Sequence, residues 1–445
     1  MNGFTAEKAI QSLKKYDQAE VYVSDTTVHT IYIDNSQISN IESKRDTGMM
    51  FRMTQDGRMG KASVTLNGPD SEADCLEMAD TVLRFSPKSE KVSPYAQPEQ
   101  AKISAPDVID KKVIEITPED LREIAKRVID SSAECKGVPV KIPRAQIRLA
   151  VTDSHVMNSN GVDVTHRSTL VYSHFNSMCV REHPGEGIET FHGTHLDMDA
   201  EAIGRSIASK AYNAATCTEY KGHEKLPLVM TPGDGADMLL SSLGDAIDGE
   251  NIKYGRSYWQ EDMDKAVASE ILNIYDDPTV RAPLASCFDD EGVATSKKAV
   301  IEKGVLRSHL RDTFCGNSTG NGFRRSSVEA QGAYERTPTI KPVNLAVQPG
   351  KYTLEDMVSQ MDNAIVVEKF AAADPDGLSG GFALNVRCGH LVRNGEIVGV
   401  VNNALCMGNM FECLKNIEMI GSDSVQTGVM NLPTICYGGT ELVGN

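Results

Sequence analysis

Short runs of alternating hydrophobic and polar residues dominate the chain, and a few segments with helical spacing interrupt them. Near the N-terminus, residues 5–16 and 71–85 each place apolar residues on one face at helical spacing, which predicts two helices. The alternating runs between them predict four short strands, at residues 19–24, 28–34, 48–53 and 61–65. The pattern therefore predicts an N-terminal α+β unit at residues 1–86, with a small antiparallel sheet between two helices.

A connector and a second unit follow. Residues 87–112 contain four prolines among polar residues, which predicts an extended connector. Beyond it, Thr117 as N-cap, Pro118 at the first helical position and acidic residues in the first turn predict a helix to about residue 133. Alternating runs at residues 146–152, 166–174 and 188–197 predict antiparallel strands, and residues 199–215 predict a closing helix. These elements define a middle α+β unit at residues 113–220.

The pattern changes after residue 225, where most segments are strand and turn. Residues 235–247 and 406–417 are predicted as helices. Two dipeptides, Lys303-Gly304 and Asn394-Gly395, separate alternating runs and predict tight hairpins, because glycine supplies the positive φ that such turns need. Since the chain has no serial strand–helix repeat, its predicted class is α+β without a doubly wound sheet. We expect the last domain, residues 225–445, to be a large curved antiparallel sheet.

The composition limits the classes of function. At 445 residues, 40% hydrophobic and 24% charged, the chain is long enough for several domains of ordinary globular composition. Its 62 acidic and 45 basic residues give a net charge of −17, which argues against a dedicated DNA-binding surface, and we expect no direct contact with nucleic acid. The charged N-terminus and the lack of a long apolar run predict a cytoplasmic protein without a membrane segment. Ten cysteines without a C-x-x-C pair indicate free thiols.

Known catalytic and metal-binding patterns are incomplete in this sequence. A zinc peptidase helix carries two histidines and a glutamate, yet His223-Glu224 is followed by Pro227 and by no second histidine at the required spacing. The histidines of His192-Gly193-Thr194-His195 point to opposite faces of a predicted strand, which favours a structural role. The G-x-S-x-G match at residues 377–381 is followed by a strand instead of a helix. Hence no catalytic residue, no metal ligand and no cofactor is predicted.

The most distinctive stretch lies in the last domain, at residues 283–325. It combines the acidic turn Asp289-Asp290-Glu291-Gly292, the Lys303-Gly304 hairpin and a glycine-rich loop that ends in Arg324-Arg325. Such a loop can expose backbone N–H groups beside two guanidiniums, which suits a carboxylate, a phosphate or an extended peptide. An ordinary solvated turn is the alternative. The arginine-rich loop could also lower the pKa of the neighbouring Cys315.

This order of acidic turn, hairpin and glycine-rich loop resembles the central signature of the TldD/PmbA family, once called modulators of DNA gyrase and now regarded as metalloprotease subunits. TldD-type chains carry the zinc motif H-E-x-x-x-H, with a later cysteine as third ligand. The corresponding residues here are Leu240, Ser241, Ser242, Leu243, Gly244 and Asp245. Cys436 does not stand in a matching context. The resemblance therefore implies the PmbA/TldE-like branch, without a zinc site of its own, and Leu240 and Leu243 are expected in the core.

The resemblance also implies partners. A TldD-type zinc protease subunit is expected in a heterodimer, with a homodimer as the alternative, and the substrate is expected to be an unfolded or extended peptide bound at a sheet edge. The residues expected at the peptide groove or the subunit interface are Asn321, Arg324 and Arg325. Whether this subunit is itself an enzyme stays open. Two alternative hypotheses about its function are a non-enzymatic regulatory binding protein of the gyrase-modulator type and an independent hydrolase. The hydrolase would use Asp289 and Glu291, or Cys315.

Overall fold

The computed structural model describes residues 10, 11, 13–67, 71–89, 94–329 and 331–444. Half of the helix predicted at residues 5–16, namely residues 5–9 and 12, lies outside the described residues, and residues 10 and 11 are helical. Within them, antiparallel sheets, a closed barrel and packed helices confirm the predicted α+β class. None of the described helices is long and apolar enough to cross a membrane.

One antiparallel sheet contains all described strands up to residue 193. They are β1 (Gln18–Asp34), β2 (Gln37–Gln55), β3 (Arg58–Thr65), β4 (Glu134–Cys135), β5 (Val138–Asn158), β6 (Asp163–Val180) and β7 (Pro184–Gly193). Their order is β3-β2-β1-β5-β6-β7, with β4 against β5. The pairing of β1 with β5 runs from Glu20↔Asn158 to Asp34↔Arg144. The strands predicted for an N-terminal and a middle unit therefore belong to a single sheet.

The strands of this sheet are much longer than the apolar pattern predicts. β1 continues through Ser24, Thr26 and Thr30, which are polar yet buried. The hydroxyls of Thr26 and Thr152 lie 3.1 Å apart across the β1–β5 pair, so each satisfies the other inside the sheet. Hydroxyl groups thus occupy buried positions of the strand where the apolar alternation stops.

Four helices that the structure describes in full pack on this sheet. They are α1 (Ser71–Phe85), α2 (Lys111–Ile114), α3 (Pro118–Ser132) and α4 (Ala200–Ala214). Thr117 caps α3 as predicted: its hydroxyl accepts the Asp120 N–H, and the Asp120 carboxylate accepts the Thr117 N–H. α1 covers β2 and β3, while α3 and α4 pack through Leu121 and Ile207 into a second core over β5 and β6.

The C-terminal part of the chain is mostly strand and turn, as predicted. Its strands are β8 (Thr218–Glu219), β9 (Gly222–Met230), β10 (Ile274–Asp276), β11 (Lys298–Glu302), β12 (Val305–Leu306), β13 (Gly322–Phe323), β14 (Thr339–Ile340), β15 (Leu345–Val347), β16 (Asn363–Phe370), β17 (Gly381–Arg393), β18 (Glu396–Asn402), β19 (Ala404–Asn409), β20 (Ile417–Ile420), β21 (Val425–Thr427), β22 (Met430–Leu432) and β23 (Ile435–Gly444). Its helices are α5 (Pro232–Ile247), α6 (Gly249–Lys253), α7 (Leu354–Ser359) and α8 (Met410–Lys415), and Ala333–Glu335 forms a 3₁₀ turn.

Five of these strands close into a barrel, in the order β16-β9-β23-β19-β17, because β17 pairs back onto β16. Within this ring the β16–β9 pair is parallel and the other pairs are antiparallel. β18 and β8 extend the sheet beyond β17, and β20 lies beside β23. A six-stranded sheet, β12-β11-β10-β15-β22-β21, and the β13–β14 pair complete this part. The predicted curved sheet is therefore a closed barrel with a further sheet beside it.

Both predicted hairpin turns are present. Lys303 and Gly304 have φ values of 48° and 73°, and Asn394 and Gly395 have 49° and 79°, as two-residue hairpin turns require. The helix predicted at residues 406–417 is only partly correct. Residues up to Asn409 form β19, which pairs with β17 in the barrel, and α8 occupies only the second half. Strand pairing in the barrel outweighs the helical spacing of the apolar residues there.

A buried set of charged residues joins the first sheet to the C-terminal part. The members of this junction network are Glu20, Arg52, Asp290, Glu291, Arg324 and Arg325, each 0–4% exposed. Arg52 on β2 donates two hydrogen bonds to Glu20 on β1, at 3.0 and 2.7 Å. Arg324 donates to the same carboxylate from the C-terminal part. One carboxylate of the first sheet is thus held between two guanidiniums from different parts of the chain.

The acidic turn supplies the other carboxylates of the junction network. Arg325 Nε lies 3.0 Å from Asp290 Oδ1, and Asp290 Oδ2 also accepts the backbone N–H groups of Arg324 and Arg325. Burial opposes ionisation of Asp290, but the Arg325 guanidinium and these N–H groups hold its pKa below the ordinary value. Glu291 accepts two hydrogen bonds from Thr313 and lies 3.7 Å from Arg52.

We expect Arg324→Met to lower the free energy of unfolding by about 3–5 kcal/mol, because it removes one partner of a fully buried ion pair. Denaturant titration followed by circular dichroism measures the loss. Lys265→Met is the matched control, since Lys265 pairs with Asp262 on the surface with side chains 61% and 34% exposed, and we expect a change within about 1 kcal/mol. Equal, small effects of both substitutions would show that the junction network does not stabilise the fold.

His309 is a buried titratable group just after β12. It is 5% exposed, and neither ring nitrogen has a hydrogen-bond partner among the described residues. Burial, together with the neighbouring Arg311, lowers the pKa of His309 to about 4. The imidazole is therefore neutral in the folded protein at neutral pH.

This pKa predicts a loss of stability in weak acid. Below the ordinary histidine pKa of 6.5, the unfolded chain binds a proton on His309 that the folded protein does not bind until about pH 4. His309→Leu should therefore flatten the pH dependence of the free energy of unfolding between these values, as measured by denaturant titration at several pH values. If the His309 variant follows the parent curve, another group causes the acid sensitivity.

Candidate functional site

Two cavities on either side of α5 form one groove, which we call the α5 groove. The first has a volume of about 920 Å³ and is lined by α5, by residues 374–377 and by Lys341. The second has a volume of about 790 Å³ and lies between β7, α5, β16 and β21. Leu240, Ser327 and Val429 line both cavities, so the two cavities meet at these residues.

Helix α5 has one apolar face and one groove face. Pro232 opens the helix, and Leu239 and Leu243 pack into the barrel core together with strands β9, β16 and β22. The residues of α5 that line the first cavity are Leu240, Ser241, Gly244 and Asp245. Leu243 is therefore a core residue, as expected. Leu240 differs from the expectation, because it packs only partly against the core and lies where the two cavities meet.

The loop at residues 374–377 packs directly against α5. The Ser241 hydroxyl donates to Asp374 Oδ1 at 2.8 Å. A Cβ at Gly377 would lie 2.0 Å from Asp245 Oδ2 and 2.8 Å from the Ser241 carbonyl oxygen, so only glycine permits this contact. The first glycine of the G-x-S-x-G match is thus needed for packing. Strand β17 follows the match, where a nucleophile elbow would continue into a helix.

The first cavity is acidic. The charged residues that line it are Asp245, Asp248, Asp374, Asp376 and Lys341. Burial raises the pKa of Asp248 and lowers the pKa of Lys341. Such a lining repels carboxylates and favours cationic or neutral ligands.

The second cavity contains lysines that are already paired. Lys369 donates to Asp234 at 2.7 Å, and Lys210 donates to Glu189 at 2.5 Å. Each ammonium group therefore has a carboxylate of its own. His192 lines this cavity from β7. His195, the other member of the histidine pair considered in the sequence, lies elsewhere, with Nε2 3.6 Å from Asp107.

A group of three possible metal ligands lies beside the second cavity, and two of them, Glu368 and His390, line it. Glu368 offers an oxygen, Cys388 a sulfur and His390 a nitrogen, and these three atoms lie within 4.8 Å of one another. No other group of three such ligands lies so close together among the described residues. The hydrogen bond with His390 holds the pKa of Glu368 below its ordinary value, although burial alone would raise it. This cluster was not predicted from the sequence. The signal that could have indicated it is Cys388-x-His390, a ligand pair at the spacing of one strand face.

The three residues predicted at the groove or interface lie in the interior. Asn321 and Arg324 are 0% exposed and Arg325 is 4% exposed, and none of them lines either cavity. Asn321 donates to the Lys341 carbonyl at 2.9 Å, and Lys341 Nζ donates to the Arg325 carbonyl at 2.7 Å. The loop therefore supports a residue of the groove wall from behind. A direct contact of these three residues with a peptide or a partner subunit remains a prediction.

The residues considered for an independent hydrolase have structural contacts. Asp289 is 2% exposed and accepts three backbone N–H groups, from Glu291, Val293 and Gly322. Burial and the Glu291 charge raise the pKa of Asp289. The expected lowering of the Cys315 pKa is wrong, since burial and the Asp312 carboxylate raise it to about 12. A cysteine that holds its proton so firmly is a poor nucleophile.

All three parts of the chain match one family. The PmbA/TldA metallopeptidase domain 1 matches residues 19–82, the central domain matches residues 111–215 and the C-terminal domain matches residues 223–444. The chain belongs to the TldD/PmbA family of metalloproteases. The family resemblance carried by the acidic turn, the hairpin and the glycine-rich loop is thereby confirmed.

Individual relatives extend the match to nearly the whole chain. The Metalloprotease TldD homolog of Buchnera aphidicola subsp. Acyrthosiphon pisum is 28% identical over 315 residues, which are 68% of this chain and 62% of that protein. Metalloprotease PmbA of Escherichia coli O157:H7 is 24% identical over 449 residues, 96% of this chain and 93% of that protein. The crystal structure of TldE from Thermococcus kodakarensis superposes with a TM-score of 0.88 at 22% identity, covering 99% of this chain and all of that chain. This last similarity establishes the fold.

Substitution of two glycines that line the α5 groove should change the free energy of unfolding in opposite directions. Gly377→Ala should lower the free energy of unfolding by about 1–3 kcal/mol, because the new methyl group overlaps α5. Gly244→Ala should raise it by about 0.5–1 kcal/mol, because glycine is unfavourable inside a helix and the nearest atom to the new Cβ, Leu240 Cδ1, is 3.7 Å away. Denaturant titration of both variants checks the signs. A neutral Gly377 variant would mean that the loop does not pack on α5 in solution.

Proposed function

We propose that this TldD/PmbA family member is a PmbA/TldE-like subunit of a metalloprotease complex, that it binds unfolded or extended peptides in the α5 groove, and that α5 itself holds no zinc ion. The complex is expected in the cytoplasm, with a TldD-type zinc protease subunit as partner. The observation that carries the proposal is an open groove around a helix whose groove face lacks the ligands for a catalytic metal.

Zinc in proteins is bound by cysteine, histidine and carboxylate side chains that converge on one point. Where the family motif would place two histidines and a glutamate, Leu240 offers no donor atom and Asp245 offers one carboxylate. The Ser241 hydroxyl already bonds the Asp237 carbonyl at 2.7 Å and the Asp374 carboxylate at 2.8 Å. The residues of α5 do not fit a zinc ion, and no hydrolytic step follows from them.

The cysteine nearest the C-terminus does not complete a site on α5 either. Cys436 is 0% exposed on β23, with its sulfur 4.0 Å from Glu418, and it does not line either cavity. Burial and the Glu418 charge raise its pKa. Cys436 is therefore separated from the groove face of α5.

Sheet edges support the binding of an extended peptide. β7 ends the first sheet and β21 ends the six-stranded sheet, and residues of both strands line the second cavity. An edge strand can pair with an added strand through main-chain hydrogen bonds, which recognise an extended backbone whatever its side chains. The acidic first cavity then favours peptides that place a basic or neutral side chain beside α5.

The proposed role predicts cleavage only in a complex. We expect the purified chain alone not to cleave an unfolded peptide, and a mixture with a TldD-type subunit from the same source to cleave it in a chelator-sensitive reaction. Gly244→Trp fills the first cavity and should reduce kcat/KM of the mixture about tenfold or more without preventing assembly. Peptide cleavage measured by mass spectrometry and complex formation measured by size-exclusion chromatography check both expectations.

Gly399→Trp is the matched control for this experiment, because a Cβ at Gly399 has no neighbour within 4 Å and lies on β18, away from the groove. It should leave cleavage unchanged. Cleavage by the lone chain that survives the chelator would instead support an independent hydrolase. A mixture that assembles but does not cleave would favour the non-enzymatic binding protein.

A further inference from the structure

The β16–β17 pair carries ligand-type side chains that peptide binding does not explain. Cys388 and His390 are two residues apart on β17, so both side chains leave the same face of the strand. On β16, Val367 pairs with Gly389 and Lys369 pairs with Cys388, which makes Glu368 the extra residue of a bulge. A bulge turns a side chain away from the regular alternation. Here it directs Glu368 toward both Cys388 and His390.

The distances within this cluster are those of a metal site. Glu368 Oε2 lies 3.1 Å from His390 Nε2 and 3.4 Å from Cys388 Sγ. Zinc bonds of about 2.0–2.3 Å in a tetrahedral arrangement place an oxygen about 3.3 Å from a nitrogen and about 3.5 Å from a sulfur. The Glu368 carboxylate therefore already has nearly the separations from the imidazole and the thiol that one tetrahedral ion requires, and all three ligand atoms lie within 4.8 Å of one another.

A second thiol, from a different part of the chain, lies beside Cys388. Cys217 follows α4, is 3% exposed, and interacts with Cys388 through its side chain. His183 Nε2 lies 2.7 Å from the Cys217 carbonyl oxygen and so positions this short segment. Cys217 stands outside the group of three whose ligand atoms all lie within 4.8 Å of one another, so it is a neighbour of the cluster and not a member of it.

We propose that Glu368, Cys388 and His390 form a Zn²⁺ site on the β16–β17 pair, with a water molecule as the fourth ligand. A sulfur, a nitrogen and a carboxylate oxygen are donors that zinc accepts in a four-coordinate site, whereas Mg²⁺ and Ca²⁺ require oxygen ligands. Lys210 and Lys369 lie beside the cluster, but they pair with Glu189 and Asp234 and leave the Glu368 carboxylate to the ion. Glu368 and His390 line the second cavity, which gives the ion a path of entry.

This site is separate from the zinc motif position on α5, and the proposal does not depend on the role of the α5 groove. The test uses the untagged full chain, stripped of metal with a chelator and titrated with Co²⁺ and with Zn²⁺ in reductant. We expect equimolar Co²⁺ binding with thiolate-to-cobalt charge-transfer and tetrahedral d–d absorption. Zn²⁺ should displace Co²⁺ and raise the melting temperature.

Variants assign the ion to the cluster. Cys388→Ser should lower the affinity for Co²⁺ by about 100-fold and weaken the charge-transfer band. Glu368→Gln is close in shape to the parent and should lower the affinity while keeping the band, even if the serine variant fails to fold. Cys436→Ser is the matched control, since Cys436 is another buried strand cysteine beside a glutamate, and it should bind Co²⁺ like the parent.

Three outcomes would overturn the inference: the lack of equimolar binding, parent affinity in both the Cys388 and Glu368 variants, or a Cys217–Cys388 disulfide that persists in reductant and blocks binding. Asp245→Asn separates this inference from the proposed function. If Asp245→Asn abolishes zinc binding and Glu368→Gln does not, the ion lies on α5. That result would contradict both the zinc site at Glu368 and the proposed function. Zinc lost on Glu368→Gln alone supports the cluster and leaves the subunit role untouched.

Discussion

The structure depends on the pairing of charges inside the junction network. An ionised side chain in a protein interior is unfavourable by several kcal/mol unless partners of opposite charge and hydrogen bonds offset the loss of water. Glu20 is met by both Arg52 and Arg324, and Asp290 is met by Arg325 and by backbone N–H groups. Because these partners come from β1, β2, the acidic turn and the glycine-rich loop, the ion pairs form together only when the first sheet and the C-terminal part take one relative position.

That position determines the α5 groove. The second cavity has walls from both halves, with Tyr172 and His192 on the first sheet and α5 and β16 on the other side. Lys341 connects the two features, since it bonds Asn321 and Arg325 with its backbone and side chain while it lines the first cavity. The loop that looks like a ligand-binding segment in the sequence therefore serves as the scaffold. The surface open to a ligand is formed by less distinctive residues.

The parts of the fold that could be predicted from the sequence are those decided by adjacent residues. The Thr117 cap and the Asn394-Gly395 turn depend on local backbone geometry alone. The burial of Arg324 depends on Glu20, which is 304 residues away, and no local pattern contains that pairing. The cluster around Glu368 depends on a local bulge between the β16 and β17 strands, after which the original register returns at Phe370↔Val386. Long-range pairing and register thus decided the features that were missed.

Helix α5 packs into the core with one face and lines the groove with the other. Its apolar face, with Leu239 and Leu243, seals the barrel core. Its groove face carries Ser241, Gly244 and Asp245, although larger apolar residues there would bury more surface at about 25 cal/mol per Å². Glycine in a helix interior also costs about 1 kcal/mol relative to alanine. Larger apolar residues and alanine in place of glycine would both stabilise the helix, yet the groove face is small and polar. The contribution of this face is therefore open space, which agrees with the proposed binding of a peptide in the α5 groove.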